Sequence, residues 1–238
     1  MSLISIIAQF INTGSSSGGG GGNQKTYNIM VEGDSISAFT PTWLSMLETN
    51  LNNAVKYKYF QNFAESGNSI NGAMNLPGQI AQVVAGKKFD VDRNVLFLFA
   101  GINDIQTDNT GANTYGLLIN LIAQYAPYSF KIVVFTLTAS RAVIFNEAKH
   151  LVMWQAVQDF NALLLANWQS DGIDVVINLQ TDPSFAGYNA PMVSDHFIPY
   201  PDNLHHSLIG RTKDALFAAK TLEWIENNQT GIITFIDL

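Results

Sequence analysis

The 238 residues include no cysteine. Disulfides, thiolate nucleophiles and cysteine-ligated metals are therefore excluded at the outset. Charge is sparse and leans acidic: 13% of residues are charged, and 12 Lys and Arg against 19 Asp and Glu leave a formal net charge of −7. No run of basic residues occurs, so the electrostatic footprint of a nucleic-acid or anionic-lipid binder is missing. No apolar stretch is long enough to cross a bilayer. The opening MSLISIIAQFINTG lacks both the basic start and the small-x-small cleavage site of a secretory signal. What is present is apolar: 47% hydrophobic residues, enough for one large α/β domain, or two small ones, with a well-buried core. Composition does not assign a compartment.

Three regions differ in texture. Residues 1–14 form a short apolar segment with Ile4, Ile7, Ala8 and Ile11 at helical spacing. Residues 15–25 are a Ser/Gly-rich linker, and residues 26–238 form the domain. The segment is expected to dock to a partner or to oligomerise; a frayed tail or an imperfect signal sequence is the alternative. A domain tethered in this way suits a soluble protein mounted on a larger assembly, such as a cell surface or a virion.

From Tyr27 onward, strand-like and helix-like patterns alternate. The strand-like runs are Tyr27–Val31, Lys56–Phe60, Val95–Phe99, Lys131–Leu137 and Asp174–Asn178. Helical patterns cover Pro41–Leu51, Thr114–Tyr125, Asn146–Trp168 and Ser207–Asn227. In the third, Met153, Val157, Phe160, Leu164 and Trp168 share a face, with Asn146 as N-cap. Strands rich in Val, Ile, Leu and Phe between helices imply a mostly parallel sheet covered on both faces. Reactive groups then belong on loops at the carboxyl ends of the strands.

Ser35 stands at such a place. In VEGDSISAF a strand runs out into Gly33-Asp34-Ser35 ahead of a helix. A serine there presents its hydroxyl to the crevice and its N–H near a helix N-terminus, although Gly-Asp-Ser is also ordinary turn chemistry. Ser37 occupies the place of the second glycine of a G-x-S-x-G elbow, so the motif is not that one. A serine nucleophile needs a base, and the chain has four histidines. His150 falls within a helix as a surface or packing residue. His205 lies in PYPDNLHHSLIG with Asp202 three residues before it. In a tight turn that spacing brings a carboxylate to Nδ1, fixing the tautomer and stabilising the imidazolium. His206 is the rival, without an acidic residue at that offset. Donors for an oxyanion could come from Gly67 in AESGNSI and from Gly101 and Asn103 in FAGINDI. Glycine allows close backbone approach and asparagine adds a neutral NH₂. A loop glycine and a helix cap are the plainer readings.

In order, these segments resemble the SGNH hydrolases, also called GDSL esterases/lipases. Gly33–Ser37 matches the first block, Gly67 the second, Gly101-Ile102-Asn103-Asp104 the third and Asp202-x-x-His205 the last. The resemblance implies a flavodoxin-like three-layer α/β/α sandwich with a mostly parallel five-stranded sheet. It also implies Ser35 as nucleophile, His205 as general base and Asp202 as its orienting partner. The oxyanion hole would be the N–H groups of Ser35 and Gly67 and the Asn103 side chain, with no metal or organic cofactor. Two positions depart from the family: Ile36 where leucine is common, and His206 where proline often follows the histidine.

The implied substrate is a carboxylic ester, as a small molecule or on a glycan, with short-chain acyl or O-acetyl groups favoured. A lipase or lysophospholipase and a non-catalytic glycan-binding or structural module on the same fold are the alternatives. The stretch 179–204 carries Phe185, Tyr188, Met192, Phe197 and Tyr200, which either line a pocket or pin the loop to the core. A metal site among Asp195, His196, Asp202, His205 and His206 is a further reading, but it leaves the glycine blocks unexplained. No nucleic-acid partner and no integral membrane span are expected.

Overall fold

The computed structural model describes residues 25–51, 55–71, 76–142, 144–199 and 201–238. The N-terminal segment, all of the linker except Lys25, and Tyr200 lie outside the described residues. Six strands form one parallel sheet: β1 (Tyr27–Gly33), β2 (Tyr57–Asn62), β3 (Arg93–Phe99), β4 (Lys131–Phe135), β5 (Val175–Ile177) and β6 (Gly231–Ile233). Their order is β2-β1-β3-β4-β5-β6, with every neighbouring pair parallel. The first five are those read from the sequence. The sixth is a correction to the five-stranded expectation: three residues, GII, are too few for a strand pattern to register.

The helices are α1 (Ser35–Ala38), α2 (Trp43–Leu51), α3 (Leu76–Gly86), α4 (Ile102–Gln106), α5 (Gly111–Tyr125), α6 (Glu147–Asn167), α7 (Ala190–Val193) and α8 (Leu208–Glu226). Their starts are chemically marked. Thr110, Asn146 and Ser207 each accept the N–H three residues on, satisfying donors that have no partner within the helix. Helix α3 is absent from the sequence reading because Pro77-Gly78 looks like a turn. In the first helical turn proline is tolerated, since its missing N–H has no bond to lose. Pro41 precedes α2 rather than opening it.

α2 packs with α8 on one face, while α5 packs with α3 and α6 on the other. β1 is buried along its whole length and β3 along all but its first residue, as parallel strands covered on both faces must be. Trp43 packs on Phe97 and Phe135, and Phe135 stacks on Phe99 at 4.6 Å. On α6, Met153, Val157, Phe160 and Leu164 are buried as expected. His150 is a packing residue, its Nε2 paired with the Ala142 carbonyl at 3.0 Å.

Two buried residues run against the apolar pattern of β1, Asn28 and Glu32, and the second carries an ionisable group. Glu32 of β1 is fully buried. One carboxyl oxygen accepts from the Tyr125 hydroxyl at 2.7 Å, and the other has no partner among the described residues. Burial pushes the carboxyl up to about 8, against the opposing effect of the Tyr125 bond. The folded protein therefore keeps this proton at pH values where the unfolded chain has lost it. Ionisation favours the unfolded chain from the ordinary glutamate range upward, so this contribution erodes stability as pH rises, until the folded group titrates too. The slope is at most about 1.4 kcal/mol per pH unit. Glu32→Gln removes that titration without changing the shape. Urea unfolding of both proteins between about pH 5 and pH 8 is expected to show the variant gaining on the wild type as pH rises. A difference independent of pH would contradict it.

Candidate active site

The strand order reverses at β1: the chain passes from β1 out to β2 and returns to β3 on the other side. Loops at the carboxyl ends of β1 and β3 therefore face the crevice where ligands bind in open parallel sheets. Gly33 and Phe99 are register partners at the ends of these strands. A Cβ on Gly33 would lie 2.4 Å from the Phe99 carbonyl oxygen, so only glycine allows this approach. The chain then turns at once. The Asp34 carboxylate accepts the Ile36 N–H at 2.9 Å, starting α1 with Ser35 as its first residue. Ser37 fixes the far end of the turn, its hydroxyl accepting from the Trp43 indole and its carbonyl from Asn62.

His205 and Asp202 arrive from the other end of the chain. The Ser35 hydroxyl lies 2.7 Å from His205 Nε2, and His205 Nδ1 lies 2.8 Å from Asp202 Oδ2. The other Asp202 oxygen accepts the backbone N–H groups of Leu204 and His205, at 3.0 and 2.7 Å. Burial works against ionisation of Asp202, but the bonds from the His205 N–H, the imidazole and the Leu204 N–H outweigh it. The carboxyl is held below its ordinary range. The intervening Asn203 adopts left-handed backbone, φ 45°, with its carbonyl bonded by the Arg141 N–H and its N–H by the Ile198 carbonyl.

The candidate oxyanion donors sit at the ends of neighbouring strands. Gly67 has φ 84°, and a Cβ there would meet nothing within 4 Å, so this backbone borders open space. The N–H groups of Ser35 and Gly67 are bonded to no backbone carbonyl among the described residues. Asn103 Nδ2 donates to the Asn68 carbonyl at 2.7 Å, which ties the side chain to the loop carrying Gly67 and leaves its second hydrogen available. Asp104 extends the tie, accepting the N–H groups of Ile70 and Asn71 at 2.8 and 3.0 Å. Its place beside Asn103 at a strand end is the sequence signal for this loop-holding task. Two carboxyls in this region resist ionisation. Burial raises Asp34 to about 7, against the Ile36 bond and with Asp104 adding to the rise. Burial likewise raises Asp104, against its two backbone bonds.

The His/Asp-rich stretch divides rather than converging. His206 is buried with Nδ1 2.7 Å from Asp214 Oδ2 of α8, among Phe99, Phe185 and Phe197. His196 pairs with Asp195. Among the described residues no three such side chains gather in a metal-binding arrangement. Phe185 and Phe197 are buried and pin the 179–204 stretch to the core, whereas Met192 is exposed.

Comparison with protein-family models gives no match, and neither does comparison with curated proteins. Solved structures do match. A member of the lipolytic protein G-D-S-L family from Veillonella parvula superposes with a TM-score of 0.61 at 19% identity, covering 83% of this chain and 99% of that one. The acetyl xylan esterase AlAXEase gives 0.60 at 18% identity, over 82% and 99%. A lipase/acylhydrolase from Enterococcus faecalis gives 0.59 at 18%, over 82% and 95%. The fold is that of the SGNH, or GDSL, hydrolases.

The His206–Asp214 pair is wholly buried and joins the 202–207 turn to α8. Removing Asp214 leaves His206 Nδ1 unpaired in the core, with Nε2 still 3.4 Å from the Thr138 hydroxyl. Asp214→Ala is expected to lower unfolding free energy by about 2–4 kcal/mol, measured from urea midpoints. A loss below about 1 kcal/mol would show that the pair contributes no more than an ordinary hydrogen bond.

Proposed function

We propose that the protein is a serine esterase that hydrolyses carboxylic esters through an acyl-enzyme. The observation that carries this reading is the unbroken hydrogen-bond chain from Asp202 through His205 to the Ser35 hydroxyl. Ser35 Oγ attacks the ester carbonyl carbon while His205 Nε2 takes its proton. The carbonyl oxygen becomes an oxyanion held by the Ser35 and Gly67 N–H groups and the Asn103 amide. The intermediate collapses as the C–O bond to the alcohol breaks, and His205 gives its proton to the departing oxygen. Water then repeats the sequence on the acyl group and frees the acid. Asp202, held ionised, orients the imidazole and stabilises its cation.

We take the substrate to be a short-chain ester or an O-acetyl group on a carbohydrate. One protein of the same fold is described as an acetyl xylan esterase, and that is support by analogy of fold. A second reading rests on Leu208 and Ile209, exposed apolar residues just after the His205 turn. They favour a longer acyl chain, as in a lipase or lysophospholipase.

Hydrolysis of p-nitrophenyl esters of increasing acyl length tests both. The acetate is expected to be turned over best, and a maximum at long chains would favour the lipase reading. Ser35→Ala is expected to abolish turnover while remaining folded. Asn103→Ala should cost about 10²–10³ in kcat, and Asp202→Asn up to about 10⁴. A wild type that neither hydrolyses any ester nor reacts with an organophosphonate serine probe would favour a non-catalytic module.

A further inference from the structure

Phe39 is the residue that ends α1, and its side chain was not singled out by any sequence motif. Its ring lies against the His205 imidazole, with centroids 5.3 Å apart and planes 27° apart. The residue is 41% exposed, so core packing does not hold it there. Its backbone does. The Phe39 N–H donates to the Ser35 carbonyl at 3.0 Å, and the Phe39 carbonyl accepts from Arg211 Nη1 at 3.1 Å. The Arg211 guanidinium sits 5.3 Å from the centre of the same ring. Arg211 is itself buried and bonded to the Ser207 carbonyl. Phe39 thus spans from the residue bearing the candidate nucleophile to the helix that follows the candidate base.

The two hydrogen bonds of His205 leave a freedom that this contact removes. Bonds at Nδ1 and Nε2 hold the ring by its edge and tolerate out-of-plane bending, so the imidazole can still rock about its Cβ–Cγ bond. A ring laid on its face stops the rocking. The π-face of the Phe39 ring also favours the imidazolium that forms when Nε2 takes the serine proton. We propose that Phe39 is a positioning residue for the general base, locking the His205 plane in the orientation that proton transfer requires. This rests on the serine-esterase reading for its catalytic consequence, but the locking itself does not.

The test compares wild type with Phe39→Leu, which keeps bulk and loses the flat face, and Phe39→Tyr, which keeps the face. With p-nitrophenyl acetate and butyrate as substrates, Phe39→Leu is expected to lower kcat roughly tenfold for both, leaving both KM values nearly unchanged. Phe39→Tyr should restore kcat. Independently of turnover, the His205 Nδ1 proton, followed by NMR, should exchange with water faster in Phe39→Leu than in wild type or Phe39→Tyr. An unchanged kcat with KM raised in proportion to acyl length would make the ring a wall of the substrate pocket and overturn the proposal. Equal proton exchange in all three proteins would overturn it as well. If the wild type hydrolyses no ester, the esterase reading fails, and the exchange comparison still decides the role of Phe39.

Discussion

The contact between Gly33 and the Phe99 carbonyl is the constraint on which the site depends. A Cβ at position 33 would lie 2.4 Å from that oxygen, so β1 and β3 can end side by side only with glycine there. Because they do, the Ser35 turn and the Asn103 turn leave the sheet as neighbours. The Glu65 N–H bonds to the Gly33 carbonyl, which draws the exit of β2, and with it Gly67, to the same corner. Three separate loops are thus gathered by sheet geometry before any of their side chains interact. Asn103 and Asp104 then lash the second and third of these loops together.

The electrostatics of the site follow from how many donors each carboxyl receives. Asp34 and Asp202 both accept backbone N–H groups from the turn they begin, yet they shift in opposite directions. Asp34 is fully buried and receives one such bond, its second oxygen unpartnered among the described residues. Desolvation wins and the group tends to keep its proton. Asp202 is partly exposed and receives two backbone N–H bonds and the imidazole. Hydrogen bonding to the charged form wins there. Carboxyls whose environments push them apart are how one site separates acid and base tasks. Of these two, the carboxyl held below its ordinary range is Asp202, on the far side of His205 from Ser35.

Much of this was legible in the sequence because the signals are local. Strand-like runs marked the first five strands, Asn146 marked the start of α6, and the Gly-Asp-Ser, Gly-Ile-Asn-Asp and Asp-x-x-His segments each sit within one turn. What escaped was short or non-local. β6 has three residues and owes its existence to β5 beside it. Helix α3 hid behind Pro77-Gly78. Phe39 on His205, Glu32 under Tyr125 and His206 on Asp214 join residues 166, 93 and 8 positions apart, and no periodicity in the chain pairs them. The aromatic residues of the 179–204 stretch were ambiguous because burial and exposure depend on what the loop packs against. Phe185 and Phe197 found the His206 ring and went inside.

His206 stands where the hydrolases this sequence resembles often carry proline, and the structure shows what holds the turn without one. Proline stiffens a turn through its own ring. Here the stiffness comes from outside: Ile198 and Ser207 N–H bonds to the His205 and His196 carbonyls, an antiparallel bridge between Phe197 and His206, and the buried bond to Asp214. In such an extended pair, successive side chains point to opposite sides. His206 goes into the core and His205 therefore goes out, toward Ser35. A slip of one residue would exchange them, leaving the outward histidine without an aspartate three positions before it and the inward one without Asp214. The two histidines look equivalent as a dipeptide. It is the buried pair that decides which of them meets the serine.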